Sequence, residues 1–147
     1  MIAPTLPDRY RVLVVDDDAE VRAYVAACLS ALPHVDVALA ASGEEAVAAM
    51  QQAWFDLVLS DERMGAMDGV ETLARARALA PDAVRVLMTA YAEIPLAEHA
   101  VNDAHVTRFL PKPFAPDDVV ALVAPLLAQR RVAEHRRAAF KRAVPTA

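Results

Sequence analysis

The sequence predicts a doubly wound α/β domain: five βα units, a parallel sheet in the order 2-1-3-4-5, and helices on both faces. Three observations carry that expectation. Short apolar, β-branched runs alternate with segments of helical period, each pair filling about 20 to 25 residues, which is the pattern of a parallel sheet. Most of the runs are apolar throughout rather than at every second residue, as strands buried on both faces must be. Right-handed crossovers then leave few arrangements, of which 2-1-3-4-5 is a common one.

Arg11-Val12-Leu13-Val14-Val15 is the first strand and ends in Asp16-Asp17-Asp18. After Ala19, the positions Val21, Tyr24, Val25, Cys28, Leu29 and Leu32 recur at helical spacing, with Asp17 or Asp18 as N-cap and Pro33 ending the run. Residues 35–40 alternate enough for a strand near an edge, and Ser42 caps a second helix that runs through Met50. Residues 55–60 form an apolar third strand closed by Asp61-Glu62-Arg63. A third helix starts at Asp68 or Gly69, turns Val70, Leu73, Ala74 and Leu79 inward, and stops near Pro81. Residues 84–88 make the fourth strand, ending at Thr89-Ala90, and Pro95 opens a fourth helix that reaches about Asn102. Thr107 to Leu110 is the fifth strand; Pro111 cannot donate to a ladder, so this strand ends there or lies at the sheet edge. The last helix begins after Pro116, with Asp117 and Asp118 in the first turn where the helix dipole favours them.

At 147 residues, 56% of them hydrophobic, the chain has material for one domain and is short for two. The expected division is a flexible N-terminus over 1–9, the domain over 10–128 and a basic, helical tail over 129–147. Residues 1–128 carry 9 Lys and Arg against 19 Asp and Glu, whereas 129–147 carry 6 against 1. So acidic a body is no nucleic-acid binder, and the tail reads as a solvated helix or frayed end, a contact for an acidic partner, or an extension of the last helix that serves as a linker to an output domain or a dimer contact. No signal peptide opens the chain, and its longest apolar run is far short of the roughly 20 residues of a membrane span. A cytoplasmic protein without membrane contact is expected. Cys28 is the one cysteine, which rules out a disulfide framework within the chain and suggests a buried thiol.

In such a sheet, ligands bind beyond the carboxyl ends of the strands, at the switch point between strands 1 and 3. There the chain delivers Asp16 and Asp17, Asp61, Thr89 and Lys112. With strands about 4.8 Å apart the carboxylates should lie roughly 5 Å from one another. Each like-charge pair then costs about 3 kcal/mol at an effective dielectric of about 20, so positive charge must enter. A hard divalent cation suits an all-oxygen, solvent-open site, and Mg²⁺ fits because it needs few carboxylates plus an anionic substrate. Lys112 supplies a second counter-charge and Thr89 a hydroxyl. A carboxylate nucleophile among a cation, an ammonium and a hydroxyl suits phosphoryl transfer to Asp61.

Val14-Val15-Asp16-Asp17-Asp18, Leu59-Ser60-Asp61 with Met67-Asp68-Gly69, Met88-Thr89-Ala90, and Phe109-Leu110-Pro111-Lys112-Pro113-Phe114 together resemble the receiver domain of two-component response regulators, whose fold is the flavodoxin-like (βα)5 sheet. The resemblance covers about residues 10–128. It implies that Asp61 accepts a phosphoryl group from a sensor histidine kinase or phosphotransferase. It further implies that Asp16, Asp17, Asp61 and the Arg63 backbone carbonyl hold Mg²⁺, with Asp17 and Asp61 as direct carboxylate ligands. Thr89 and Lys112 would bind phosphoryl oxygens, the Lys112-Pro113 bond would be cis, and Phe109 would turn inward as Thr89 moves. The output would pass to a protein or domain through the fourth helix, fifth strand and fifth helix, with a homodimer as one form.

Three departures stand out. Gly65 occupies a place where the family usually has proline, which should loosen the loop after Asp61. Asp18 adds a third acid, readable as a helix cap. Arg63 and Tyr91 match positions that modulate loss of the phosphoryl group, and their bulk predicts a long-lived phospho-aspartate. Two other functions compete: a Mg²⁺-dependent phosphatase working through an aspartyl intermediate, which lacks its usual second acid because Arg63 stands there, and a degenerate receiver that is never phosphorylated, which the complete acid set opposes.

Overall fold

The computed structural model describes residues 9–90, 106 and 108–143, the stretch 131–143 by its backbone. Each apolar run has become a strand: β1 (Tyr10–Val15), β2 (Val35–Ala40), β3 (Leu57–Asp61), β4 (Val84–Ala90) and β5 (Arg108–Lys112). Between and after them lie α1 (Ala19–Leu29), α2 (Gly43–Gln52), α3 (Gly69–Leu79) and α4 (Pro116–Ala143). The helix expected from Pro95 to about Asn102 falls outside the described residues, so α4 is the fifth helix of the sequence reading. All neighbouring strands pair in parallel in the expected order β2-β1-β3-β4-β5.

Alternation along the strands sorts the core into two layers. Leu13, Val15, Val58 and Leu87 face α2 and α3, where they meet Ala46, Met50, Val70 and Leu73. Val12, Val14, Leu57, Leu59 and Val86 face α1 and α4, where they meet Val25, Leu29, Val119 and Val123. Every residue of β3 is buried, which is why its sequence shows no polar alternation. β2 and β5 are the edge strands, and Pro111 sits within β5 rather than ending it; an edge strand tolerates the missing donor.

Caps fix where the helices begin. Asp18 accepts from the backbone N–H of Glu20 and Val21, Ser42 from Glu45, and Asp68 from Glu71. α1 stops at Leu29, short of the expected Pro33: Ala31 and Leu32 donate three residues back to Cys28 and Leu29, tightening the last turn. His34 then takes a left-handed φ of 62° to enter β2. The third strand begins two residues later than expected. Leu79 is 41% exposed rather than turned inward, because the chain leaves α3 there and Ala80 and Ala83 fill the buried positions instead. Trp54 is 48% exposed, with the Arg130 guanidinium 5.0 Å above its ring.

The amino edge of the sheet is tied by Asp56. Its carboxylate accepts from the Arg11 N–H and the Arg130 Nε, each at 2.8 Å, while its own carbonyl accepts from the Val84 N–H at 2.9 Å. One buried acid thus joins β1, the start of β3, β4 and α4. Arg130 is itself buried, so the residue that opens the basic stretch belongs to the core boundary.

Two glycines near the carboxyl edge differ sharply. A Cβ on Gly69 would lie 1.9 Å from the Asp61 carbonyl oxygen, whereas one on Gly65 would meet nothing within 4 Å. Neither has a positive φ. Gly69→Ala is therefore expected to cost about 3 kcal/mol through overpacking, lowering Tm by roughly 10 °C. Gly65→Ala should stabilise by about 0.5 kcal/mol, since it restricts the unfolded chain without a clash. Thermal melts of the two variants beside the wild type check both signs.

Candidate functional site

The register dictates which groups converge. Val15 pairs with Ser60, Asp61 with Met88, Met88 with Leu110, and Ala90 with Lys112. Residues level in a parallel ladder, and those two apart on one strand, share a face. Asp16, Asp61 and Lys112 therefore project on the α1/α4 side, and Glu62, Thr89 and Phe109 on the α2/α3 side. The groups predicted from sequence reach one edge, but from opposite faces of the sheet.

On the first side, carboxylate oxygens of Asp16, Asp17 and Asp61 all lie within 4.8 Å of one another. Asp16 and Asp61 are buried and Asp17 is exposed. Lys112 Nζ donates to Asp61 Oδ1 in a partly buried ion pair. The Lys112–Pro113 bond is cis, as expected. Asp16 Oδ1 accepts from the Asp18 N–H at 2.9 Å, while Asp16 Oδ2 is buried with no hydrogen-bond partner. A buried acceptor with no donor beside two further carboxylates fits a hard cation, whose ligands are oxygens of this kind. Asp18 is spent on the α1 cap and stays out of the cluster.

Burial raises the Asp16 carboxyl from the ordinary 3.8 to about 6; the Asp18 N–H opposes that shift, and the charge of Asp61 adds to it. Beside Lys112, an open cleft of about 680 Å³ is lined by Asp18, Val21, Tyr24, Pro113 and Phe114 among others.

On the second side, Thr89 Oγ1 donates to Glu62 Oε2, and both residues are buried. Phe109 is half-buried and packs against the α2/α3 core layer. Glu62 did not emerge from the sequence as a site residue. The available signal was its place one residue beyond a buried strand end, level with a threonine on the next strand.

The family of the response regulator receiver domain matches residues 12–124. The chain belongs to that family. Among its relatives, the transcriptional regulatory protein ZraR of Escherichia coli O157:H7 is 36% identical over 125 residues, covering 85% of this chain and 28% of ZraR. The C4-dicarboxylate transport transcriptional regulatory protein DctD of Rhizobium meliloti is 35% identical, covering 86% of this chain and 26% of DctD. The chain thus spans little more than a quarter of these relatives. Among solved structures, the chemotaxis response regulator CheY4 of Vibrio cholerae superposes with a TM-score of 0.72 at 28% identity, covering 80% of this chain and 98% of CheY4. The signal receiver domain of an HD domain-containing protein from Pseudomonas fluorescens Pf-5 gives 0.82 at 25% identity, covering 92% of this chain and 99% of that one.

The receiver family is one of signalling domains, and none of the described helices is long and apolar enough to cross a membrane. Of the two positions expected to modulate loss of the phosphoryl group, Tyr91 lies outside the described residues. The Arg63 side chain is 75% exposed, with Nε 3.6 Å from Glu62 Oε1.

The raised Asp16 carboxyl has a signed consequence. The folded receiver binds this proton more tightly than the unfolded chain, so with metal removed by chelator its stability should rise as pH falls through about 6 and level off near 3.8. Asp16→Asn keeps the acceptor for Asp18 and removes the charge. It is expected to raise the Tm of the metal-free receiver by about 5 °C at pH 8, with a smaller gain at pH 5, read by calorimetry at both pH values.

Proposed function

We propose that this receiver accepts a phosphoryl group on Asp61 from a sensor histidine kinase or phosphotransferase and passes the change to a protein-binding surface. The observation that carries the reading is the Asp61 carboxylate, paired with Lys112 and within 4.8 Å of Asp16 and Asp17. Asp61 is the nucleophile, and the Lys112 ammonium is freed from one carboxylate oxygen to bind a phosphoryl oxygen. Asp16, Asp17 and Asp61, with the Arg63 backbone carbonyl, would hold Mg²⁺, which when bound neutralises charge at the phosphoryl oxygens. Thr89 contributes its hydroxyl to the same oxygens, and Phe109, one strand position from Leu110 and two before Pro111, follows that movement. The donor would approach through the cleft beside Lys112.

We take residues 10–128 as the receiver unit and 129–147 as a basic tail, acting in the cytoplasm. The output surface would comprise the fourth helix expected from the sequence, β5 and α4, read by a partner protein, an output domain or a second copy of the chain. No direct nucleic-acid contact is assigned to it.

Intact-mass measurement after incubation with Mg²⁺ and acetyl phosphate tests the proposal. One phosphoryl group per chain is expected on the wild type and none on Asp61→Asn or in the presence of chelator; labelling that survives Asp61→Asn would sink the reading, and turnover of a generic phosphate ester would favour a phosphatase. Because Arg63 and Tyr91 are bulky, the phosphorylated wild type should lose its label over minutes to hours. Small replacements at both positions should shorten that lifetime by about tenfold, a change of roughly 1.4 kcal/mol in the barrier, followed by phosphate release.

A further inference from the structure

We infer that Glu62 is a positioning residue that holds the Thr89 hydroxyl away from Asp61 and so sets how tightly the site takes a phosphoryl group, an inference that rests on Asp61 being the acceptor. The Glu62 side chain is 6% exposed, and its Oε2 receives the Thr89 hydroxyl. Asp61 and Lys112 lie on the other side of the sheet by register. A hydroxyl has one proton to donate. Given to Glu62, it is withheld from any oxygen bound at Asp61.

The carboxylate is a strong competitor, because a charge-assisted bond in a buried setting is roughly twice as strong as a neutral one. A second acceptor among the described residues, the Ala90 carbonyl oxygen at 3.2 Å from Thr89 Oγ1, is neutral. Glu62 is also held in place. Its backbone carbonyl accepts from the Gly69 N–H at 2.9 Å, where α3 begins, and Arg63 Nε stands 3.6 Å from its second carboxylate oxygen. The resting arrangement therefore contains a bond that must break before Thr89 contributes to phosphoryl binding, and the affinity of the site falls by the strength of that bond.

The test is the affinity for beryllofluoride, a phosphoryl mimic, in the presence of Mg²⁺, measured by calorimetry on the full chain. Glu62→Leu removes the acceptor and fills its space, and should bind about tenfold more tightly than wild type. Glu62→Gln leaves a neutral acceptor and should gain about threefold. In a Thr89→Val background, which has no hydroxyl to hold, Glu62→Leu should change the affinity less than about twofold. Equal or weaker binding by both Glu62 variants overturns the inference. So does a gain that persists with Thr89→Val, which would mean that Glu62 acts through charge repulsion. If Glu62→Leu fails to fold, Glu62→Gln decides between these outcomes. Wild type that binds no better than Asp61→Asn would remove the Asp61 reading and this inference together, whereas loss of binding confined to Asp61→Asn keeps the first and leaves Glu62 to the comparisons above.

Discussion

A buried carboxylate at the end of a buried strand is the constraint from which the rest of this structure follows. Asp61 is 6% exposed, and an ion so placed is tolerated when a partner reaches it with good geometry and costly when that partner is removed. The partner is Lys112, which arrives from the sheet edge two strands away. That reach works because β4 alone separates β3 from β5, and because Pro111 and Pro113 hold the lysine at the end of its strand. Strand order, edge position and proline placement thus answer to one charge.

The same constraint explains the tension in the acidic cluster. Asp16 lies level with Asp61 on the neighbouring strand, and its outer oxygen has no donor. Its raised affinity for a proton is the cost of burying this carboxylate beside Asp61. Lys112 answers one of the three carboxylates, which leaves the cluster crowded with like charge.

Much of this was legible in one dimension. The strands announced themselves because β1, β3 and β4 are buried on both faces and can afford no polar interior. The carboxyl-edge residues were legible because strand ends are where such a sheet gathers its chemistry. What escaped has physical reasons. Helical period says which positions share a face but not where the helix leaves the core, so Leu79 looked inward and is not. A charged residue inside an apolar run reads as an interruption, yet Asp56 is a tie between three strands and a helix, and its partner Arg130 is 74 residues away. Glu62 looked like the start of a polar loop, whereas the alternation of β3 continues one residue past Asp61 and turns the carboxylate into the opposite layer.

The tie between Asp56 and Arg130 bears on everything C-terminal to it. α4 runs from Pro116 to Ala143 with Pro125 inside it, so the chain continues past its anchor as helix for about 20 Å at 1.5 Å per residue. The anchor sets the phase of that rod as well as its origin. A residue inserted after Arg130 would rotate every later position by about 100°, while seven would restore the phase to within about 20°. Spacing beyond the anchor therefore behaves like gearing: it fixes the azimuth of the helix backbone at its distal end relative to the sheet.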